Sequence, residues 1–458
     1  MLYSLITLSL FSCQDTTTKE STDQTGSMDA TETDTSEPQD DNEDDEDSDS
    51  DASCDESDPN APTVSQDPEC DGFYTSSNGV TIICPDIPVG SVGVVDSYTY
   101  TKRDLNSLQS LVINDDVESL ERSCTSGIEN MDELFAEGLS SSSYTIKIGS
   151  WDVSSVESMV QMFYECDSFI EGIGAWDVSN VTNMSGMFRY AESFNIDIGT
   201  WDVSNVTDMG EMFCGARRFN KDIKNWDVGN VTNMAFMFYG VYNFDSDIGG
   251  WDVSKVTNMK GMLNNLDYFN HNLNDWDVSN VEDFSAMFAF SEEFNQDLSG
   301  WDVSSATQMG GMFQKAIKFN QDISAWDVSN VTDMALMFAG NKFFNQDISS
   351  WNVSNVTDMS GIFNGALSFN QDIGDWDVSS VTDMSSMFRN AYDFNQDIGD
   401  WDVGNVTSME YMFYDCEVFN QDLSGWCVEL ISSEPTSFSD FTGYWIEPQP
   451  IWGTCPQD

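Results

Sequence analysis

The sequence predicts a repeat solenoid, a parallel β-solenoid of stacked coils, and three observations carry that expectation. Trp stands at 151, 176, 201, 226, 251, 276, 301, 326, 351, 376, 401 and 426, a period of 25 with no insertion or deletion. The same apolar slots return around each Trp, in one unit as Ile373, Trp376, Val378, Val381, Met384, Met387, Phe388, Ala391 and Phe394. The phrase itself hardly changes: residues 319–338 read FNQDISAWDVSNVTDMALMF and residues 344–363 read FNQDISSWNVSNVTDMSGIF. A fixed period of this length marks units that bury their apolar faces only against neighbours, and constant length requires each coil to superimpose on the next.

Within one unit, Trp376 and Val378 flank Asp377, the two-residue alternation of a short strand with side chains in, out, in. The spacing then changes to threes and fours through Val381, Met384, Met387 and Ala391. That spacing predicts one or two turns of 3₁₀ or α-helix per coil. The FNQDI phrase returns the chain to the next strand, with Gly and Ser at the corners. A Met and aromatic stripe that recurs once per coil reads as core rather than as a cofactor box, because the flexible thioether fills gaps between aromatic rings.

The pattern I-x-x-W-x-V-x-x-V-x-x-M-x-x-M-F-x-x-A-x-x-F resembles the leucine-rich repeat of BspA-type bacterial surface proteins. The subgroup with FNQDISxWDVSNVTDMSxMF units is the most similar, and the resemblance covers about 120–431. It implies a leucine-rich-repeat-like solenoid, display on the cell surface, and a role in adhesion or protein binding. Cys166 and Cys416 occupy the Ala391 slot and are expected in the core. The Asn of many leucine-rich repeats is here Val381 and its equivalents.

The ends differ from the array. The segment MLYSLITLSLFSC (1–13) is apolar and closes on Cys13, similar to a bacterial lipobox whose Cys is lipidated after cleavage. Residues 14–70 hold 21 Asp or Glu, one Lys and no aromatic residue, the composition of a disordered acidic spacer. Residues 71–120 are the expected N-terminal cap, 121–431 the repeats, and 432–458 a C-terminal cap with Trp445 and Trp452 as covering aromatics. Met131, Leu134 and Phe135 form a degenerate first unit, three residues out of phase with Trp151. Cys84 with Cys124, and Cys427 with Cys455, flank the two caps and are candidate disulfide pairs of an exported protein. The expected location is the outer-membrane surface through a lipid anchor, or otherwise secretion.

Charge bounds the partners. The chain carries −64, of which −44 lies on residues 71–458, so nucleic acid and anionic membrane surfaces are excluded as complements. Much of the acid is in register. The residue after each Trp gives Asp152, Asp177, Asp202, Asp227, Asp252, Asp277, Asp302, Asp327, Asp377 and Asp402, with Asn352 in the remaining unit. A second row runs from Asp197 to Asp422. Two interpretations compete: each Asp accepts backbone N–H groups in an Asx-type turn, or the rows hold structural Ca²⁺ between coils.

Enzymatic chemistry finds no support. His271 is the single His, so no Ser–His–Asp or Cys–His arrangement can be assembled, and no phosphate-binding Gly loop or HExxH occurs. The six Asn-Val-Thr triplets read as corner residues. The expected function is a surface-anchored binding or adhesion scaffold that presents an acidic face to a protein, a surface glycan or a cation-bridged partner. The alternative is a structural or self-associating surface protein with no discrete ligand.

Overall fold

The computed structural model describes residues 72–136, 145–166 and 169–456. Cys13, the expected lipidation site, and the acidic segment 14–70 lie outside the described residues. The N-terminal cap begins with a two-stranded antiparallel pair, β1 (Tyr74–Thr75) with β2 (Ile82–Ile83). A second sheet has the order β3 (Val92–Val95), β4 (Tyr98–Lys102), β5 (Ser123–Cys124), with β3 antiparallel and β5 parallel to β4. Between β4 and β5 lie helices α1 (Leu105–Ile113) and α2 (Val117–Glu121). Asp104 starts α1 because its carboxylate accepts the Ser107 amide, and Asp116 does the same for α2 with Ser119. Leu108 and Val112, four residues apart on α1, are buried and join the core of the repeats together with Leu120.

From Asn130 to Ser408 the chain is a repeat protein whose successive units are joined by parallel bridges in an unbroken series. The bridge does not sit where the Trp-Asp-Val alternation placed the strand. It falls on Asn183, Asp208, Asn233 and their equivalents, the residue before the first Met of each unit. Trp-Asp-Val carries no strand, because Asp177 Oδ1 takes the Ser179 amide and bends the chain there.

The expected helical turn is also replaced, by an alternation. The amides of Met184, Gly186, Phe188 and Tyr190 donate to carbonyls of the next unit, those of Asp208, Gly210, Met212 and Cys214, at 2.7–3.0 Å. The intervening amides of Met187, Arg189 and Ala191 fold back onto Met184, Gly186 and Phe188 of their own unit at 2.9–3.2 Å. A helix cannot propagate here because Gly186 and Tyr190 stand at φ 62° and 57°, in the left-handed region. The i, i+3 apolar spacing is real, but it comes from consecutive tight turns that re-aim every second amide at the neighbour.

The core of the repeats is one continuous cluster. Phe313, Phe338 and Phe363 stack with centroids 5.9 Å apart, and Phe344 lies 4.0 Å from Phe338. Trp301 and Trp326 run alongside at 6.3 Å. Every Trp from 176 to 426 also donates its indole N–H to a carbonyl 28 residues earlier, as Trp301 does to Leu273 at 2.8 Å. This explains why the slot is Trp rather than Phe: a buried indole needs an acceptor, and the acceptor lies in the preceding unit. Trp301→Phe keeps most of the ring and removes one of the two hydrogen bonds that the Leu273 carbonyl accepts, leaving the Trp276 amide on it at 3.1 Å. The expected cost of the lost bond is about 0.5–1.5 kcal/mol in denaturant unfolding, and a midpoint equal to wild type would remove the indole bond from the account.

At the first unit, Met131, Glu133 and Phe135 donate to Ser158, Val160 and Met162, so the three-residue offset is absorbed before Trp151. Trp151 itself donates to Leu120 in α2, which brings the cap into the series. Cys166 and Cys416 are buried, and burial pushes the Cys416 thiol far up. At the C-terminal end Phe438, fully buried, extends the core. Trp445 and Trp452 cover it edge-on, Trp445 at 5.4 Å from Phe413 and Trp452 at 4.9 Å from Phe438. Disulfides join Cys84 to Cys124 (Cα–Cα 6.3 Å) and Cys427 to Cys455 (Cα–Cα 4.0 Å).

Candidate interaction surface

Most of the repeated polar residues bond to the neighbouring unit. Asn180 Nδ2 donates to the Ser154 carbonyl and Asn330 Nδ2 to Ser304, at 2.6 and 2.8 Å. Thr332 Oγ1 donates to the Thr307 carbonyl at 3.2 Å. These are the Asn and Thr of the Asn-Val-Thr triplets, and they act as corner residues. The FNQ phrase makes a second ladder: Asn320 Oδ1 accepts the Asn345 amide, while Gln346 Nε2 donates to both Asn320 oxygens at 3.0 Å. His271 occupies that Gln slot and Asp245 the Asn slot, and His271 Nε2 meets Asp245 Oδ1 at 2.8 Å. The single His therefore completes a ladder rung.

The row after the Trp is different. Asp177, Asp202, Asp227, Asp252, Asp277, Asp302, Asp327, Asp377 and Asp402 are all exposed. In each, Oδ1 accepts the amide two residues on, at 3.0–3.1 Å. In Asp177, Asp202, Asp277 and Asp377 the Ser hydroxyl adds a second bond at 2.6 Å. Their second carboxylate oxygens accept no bond from any described residue. The Ser204 and Ser379 bonds hold the carboxyls of Asp202 and Asp377 below the usual carboxylate range, side-chain bond first and amide second. The row from Asp197 to Asp422 is built the same way, as in Asp372 accepting Gly374 at 3.1 Å.

Asp152 departs from its row. It is buried, with Ser126 Oγ donating to its Oδ2 at 2.5 Å and Thr125 Oγ1 to its carbonyl at 2.8 Å. The residues ahead of the first Trp fold over it, so it anchors the N-terminal cap instead of extending the exposed face.

A third row escaped the sequence analysis. The bridge residues Asp208, Asp283, Asp333, Asp358 and Asp383 are half-buried, with Asn or Gln in several other units. Burial, then the charges of Asp358 and Asp283, raises the Asp333 carboxyl, although the Ala335 amide opposes the shift. The signal was present as an Asp/Asn/Gln slot before each Met, but the misplaced strand hid its position. A carboxyl with a raised folded pKa favours the protonated form, so Asp333 works against the fold above the unfolded value and ceases to do so as pH falls below it. Asn233 accepts the Ala235 amide in the equivalent slot at 3.1 Å. Asp333→Asn is therefore expected to raise the melting temperature at pH 7, with the gain vanishing below about pH 3.5. A pH-independent difference between the two proteins would remove the carboxylate as its cause.

Among the described residues no group of three or more His, Cys, Asp or Glu is arranged to hold a metal ion. No described helix is long and apolar enough to cross a membrane. No curated protein and no solved structure matches the chain. The pattern of one family, described as Mycoplasma protein of unknown function, DUF285, matches residues 129–249, 232–351 and 337–444 in tandem. Those matches run through the bridged units and cover more than half of the 458 residues, and so the chain belongs to the DUF285 family.

Proposed function

We propose that the units form a leucine-rich-repeat-like parallel β-solenoid of BspA type. On this reading the protein is a lipid-anchored surface scaffold for binding or adhesion. Its contact surface is the exposed Asp row from Asp177 to Asp402, offered to a basic protein surface or to a cation-bridged glycan. The observation that supports this most is the division of labour among polar side chains. Asn, Thr, Gln and Trp are spent on neighbouring units, whereas these exposed carboxylates are held in place by one oxygen and the other accepts no bond from any described residue. Adjacent units bridged as strands lie about 4.8 Å apart. Like charges at that spacing repel by about 0.9 kcal/mol even in water, so a cationic partner relieves a standing repulsion.

The test is binding of the full chain to an immobilised oligolysine at low salt, compared with Asp227→Asn/Asp252→Asn/Asp277→Asn. Asn352 already holds this slot and accepts both Ser354 bonds, so the Asn variants keep the turn. Losing three exposed pairs at about 0.5 kcal/mol each predicts roughly tenfold weaker binding. Equal affinity would sink the Asp row as the contact surface. The second reading, a structural or self-associating protein, is favoured by one feature: the amides of Ser437, Ser439 and Phe441 at the C-terminal end find no acceptor among the described residues.

A further inference from the structure

We infer that a second face of the array binds a carboxylated sugar, along the strip formed by residues 310–318, 335–343 and 360–368. The inference is independent of the Asp-row reading and rests on where the repeat varies. Between the slots of Met384 and Phe394 the phrase changes from unit to unit, whereas the Asn, Thr and Gln of the ladders lie outside that window. All eight Tyr between Trp151 and Trp426 fall inside it, with eight of the eleven Lys and Arg. Three of its slots share one side of the array. Burial, then the charges of Tyr190 and Tyr242, raises the Tyr239 hydroxyl. Tyr190 lies over Gly215 of the intervening unit, where a Cβ would stand 2.4 Å from its ring. Gln314, Lys315 and Lys342 occupy the slots of Tyr239, Tyr190 and Tyr242.

No other three consecutive units lack Asp and Glu in this window, and the strip holds Lys315, Lys318 and Lys342, all exposed. Its units adjoin in space, since Gln308 bridges Asp333 and Asp333 bridges Asp358. Lys318 pairs with Glu293 of the preceding unit, whereas Lys315 and Lys342 pair with no carboxylate among the described residues. Lys315 sets its amino group 4.7 Å from the Phe290 ring centroid and its stem over Gly340, where a Cβ would lie 2.9 Å from Cγ. Gly340 and Gly365, both at φ 70°, continue that row without side chains. Beside Lys342, Phe343 is 56% exposed; among the described residues between Ile113 and Val418 only Tyr268 is a comparably exposed large apolar side chain.

A separate observation in the same strip points to a ligand. Gln314 is 4% exposed, and its buried Oε1 accepts no hydrogen bond. A buried carbonyl oxygen without a donor is destabilising, and the neighbours in its row, Ala289 and Ala339, have no donor to give. Rotation about the last torsion of Gln is soft, so the amide can turn its oxygen to an incoming hydroxyl. Phe343 offers a ring face to the C–H groups of a sugar, and Lys315 and Lys342 meet a carboxylate. The charge of the body selects among anions. Residues 71–458 carry −44, which repels a densely charged ligand such as nucleic acid or an acidic peptide. One carboxylate on an otherwise neutral ring reaches the two Lys with far less repulsion.

Titration calorimetry of the full chain with tetragalacturonic acid and with sialyllactose, each beside its neutral counterpart (the methyl ester and lactose), tests this. At least one acid is expected to bind, with its neutral counterpart about tenfold weaker. Lys315→Gln/Lys342→Gln should abolish that difference. Gln314→Leu deletes an unpaired buried oxygen, so its melting temperature should hold or rise while affinity falls about tenfold. Phe343→Ser, at an exposed position, gives a second route to weaker binding if Gln314→Leu does not fold. Asp252→Asn, in the Asp row, should not weaken binding, which keeps this face distinct from the one proposed above. Four results would each overturn the inference: no binding of either acid up to about 1 mM, equal binding of acid and neutral forms, equal binding of a tetraglutamate peptide, or affinity unchanged in both Gln314→Leu and Phe343→Ser.

Discussion

Phe338→Ala is expected to lower the stability of the array by about 3–5 kcal/mol in denaturant unfolding. The ring is fully buried and touches four others: Phe313 and Phe363 in the adjoining units, Phe344 at 4.0 Å and Trp351 at 6.3 Å. Its removal leaves a cavity that the ladders on either side keep from collapsing, because the backbone spacing is fixed by bonds such as Phe338 to Ile362 at 2.9 Å. The position adds a second signature. Repeat arrays hold together through nearest-neighbour interfaces, so weakening one in the middle allows the two flanking blocks to unfold separately. Indole fluorescence should therefore change from one transition to two. A loss below about 1 kcal/mol with a single transition would mean that the stacked rings contribute far less than their burial implies.

The second large effect lies at the N-terminal cap. Replacing Cys84 and Cys124 by Ser opens a loop closed across a separation of 40 residues and is expected to cost about 2–5 kcal/mol. The bond lies within the cap's small core, where both cysteines pack with Phe73, Ile82, Val95 and Tyr100. Without it the cap should loosen before the units do. Amide exchange at Val92–Val95 and Tyr98–Lys102 should then rise while exchange at Met309–Lys315 stays slow. Uniform loss of protection along the chain would show that the cap is not a separate layer of stability.

Much of this fold was legible because a repeat with no length variation leaves each slot a single environment. Trp376, Val378, Met384 and Phe394 lie in the core for the reason their period suggested. What misled was local spacing. Trp-Asp-Val alternates as a strand does, yet Asp spends its oxygen on the following turn and pairing moves to the bridge residue before Met. The threes and fours after Val381 match a helix, but Ser386 and Asn390 at φ 58° and 56° show that the chain reverses hand twice in that stretch. Neither Ser nor Asn announces that conformation as Gly does at 361 and 365, where φ is 58° and 70°. The indole bonds were readable in principle from the choice of Trp, whereas the burial of Asp152 depended on Ser126, outside the repeat.

The sameness of the bonds between units has a genetic consequence. A rung such as Asn345 to Asn320 or Trp351 to Ile323 looks identical whichever pair of units makes it. Deleting or duplicating a whole 25-residue segment therefore rejoins surfaces that already fit, and the product of unequal recombination within the coding repeat is expected to fold. Length in this lineage should vary in whole-unit steps of about 4.8 Å, with the caps unchanged, while a frame-preserving loss of any other size would put the ladders out of register at the junction it creates.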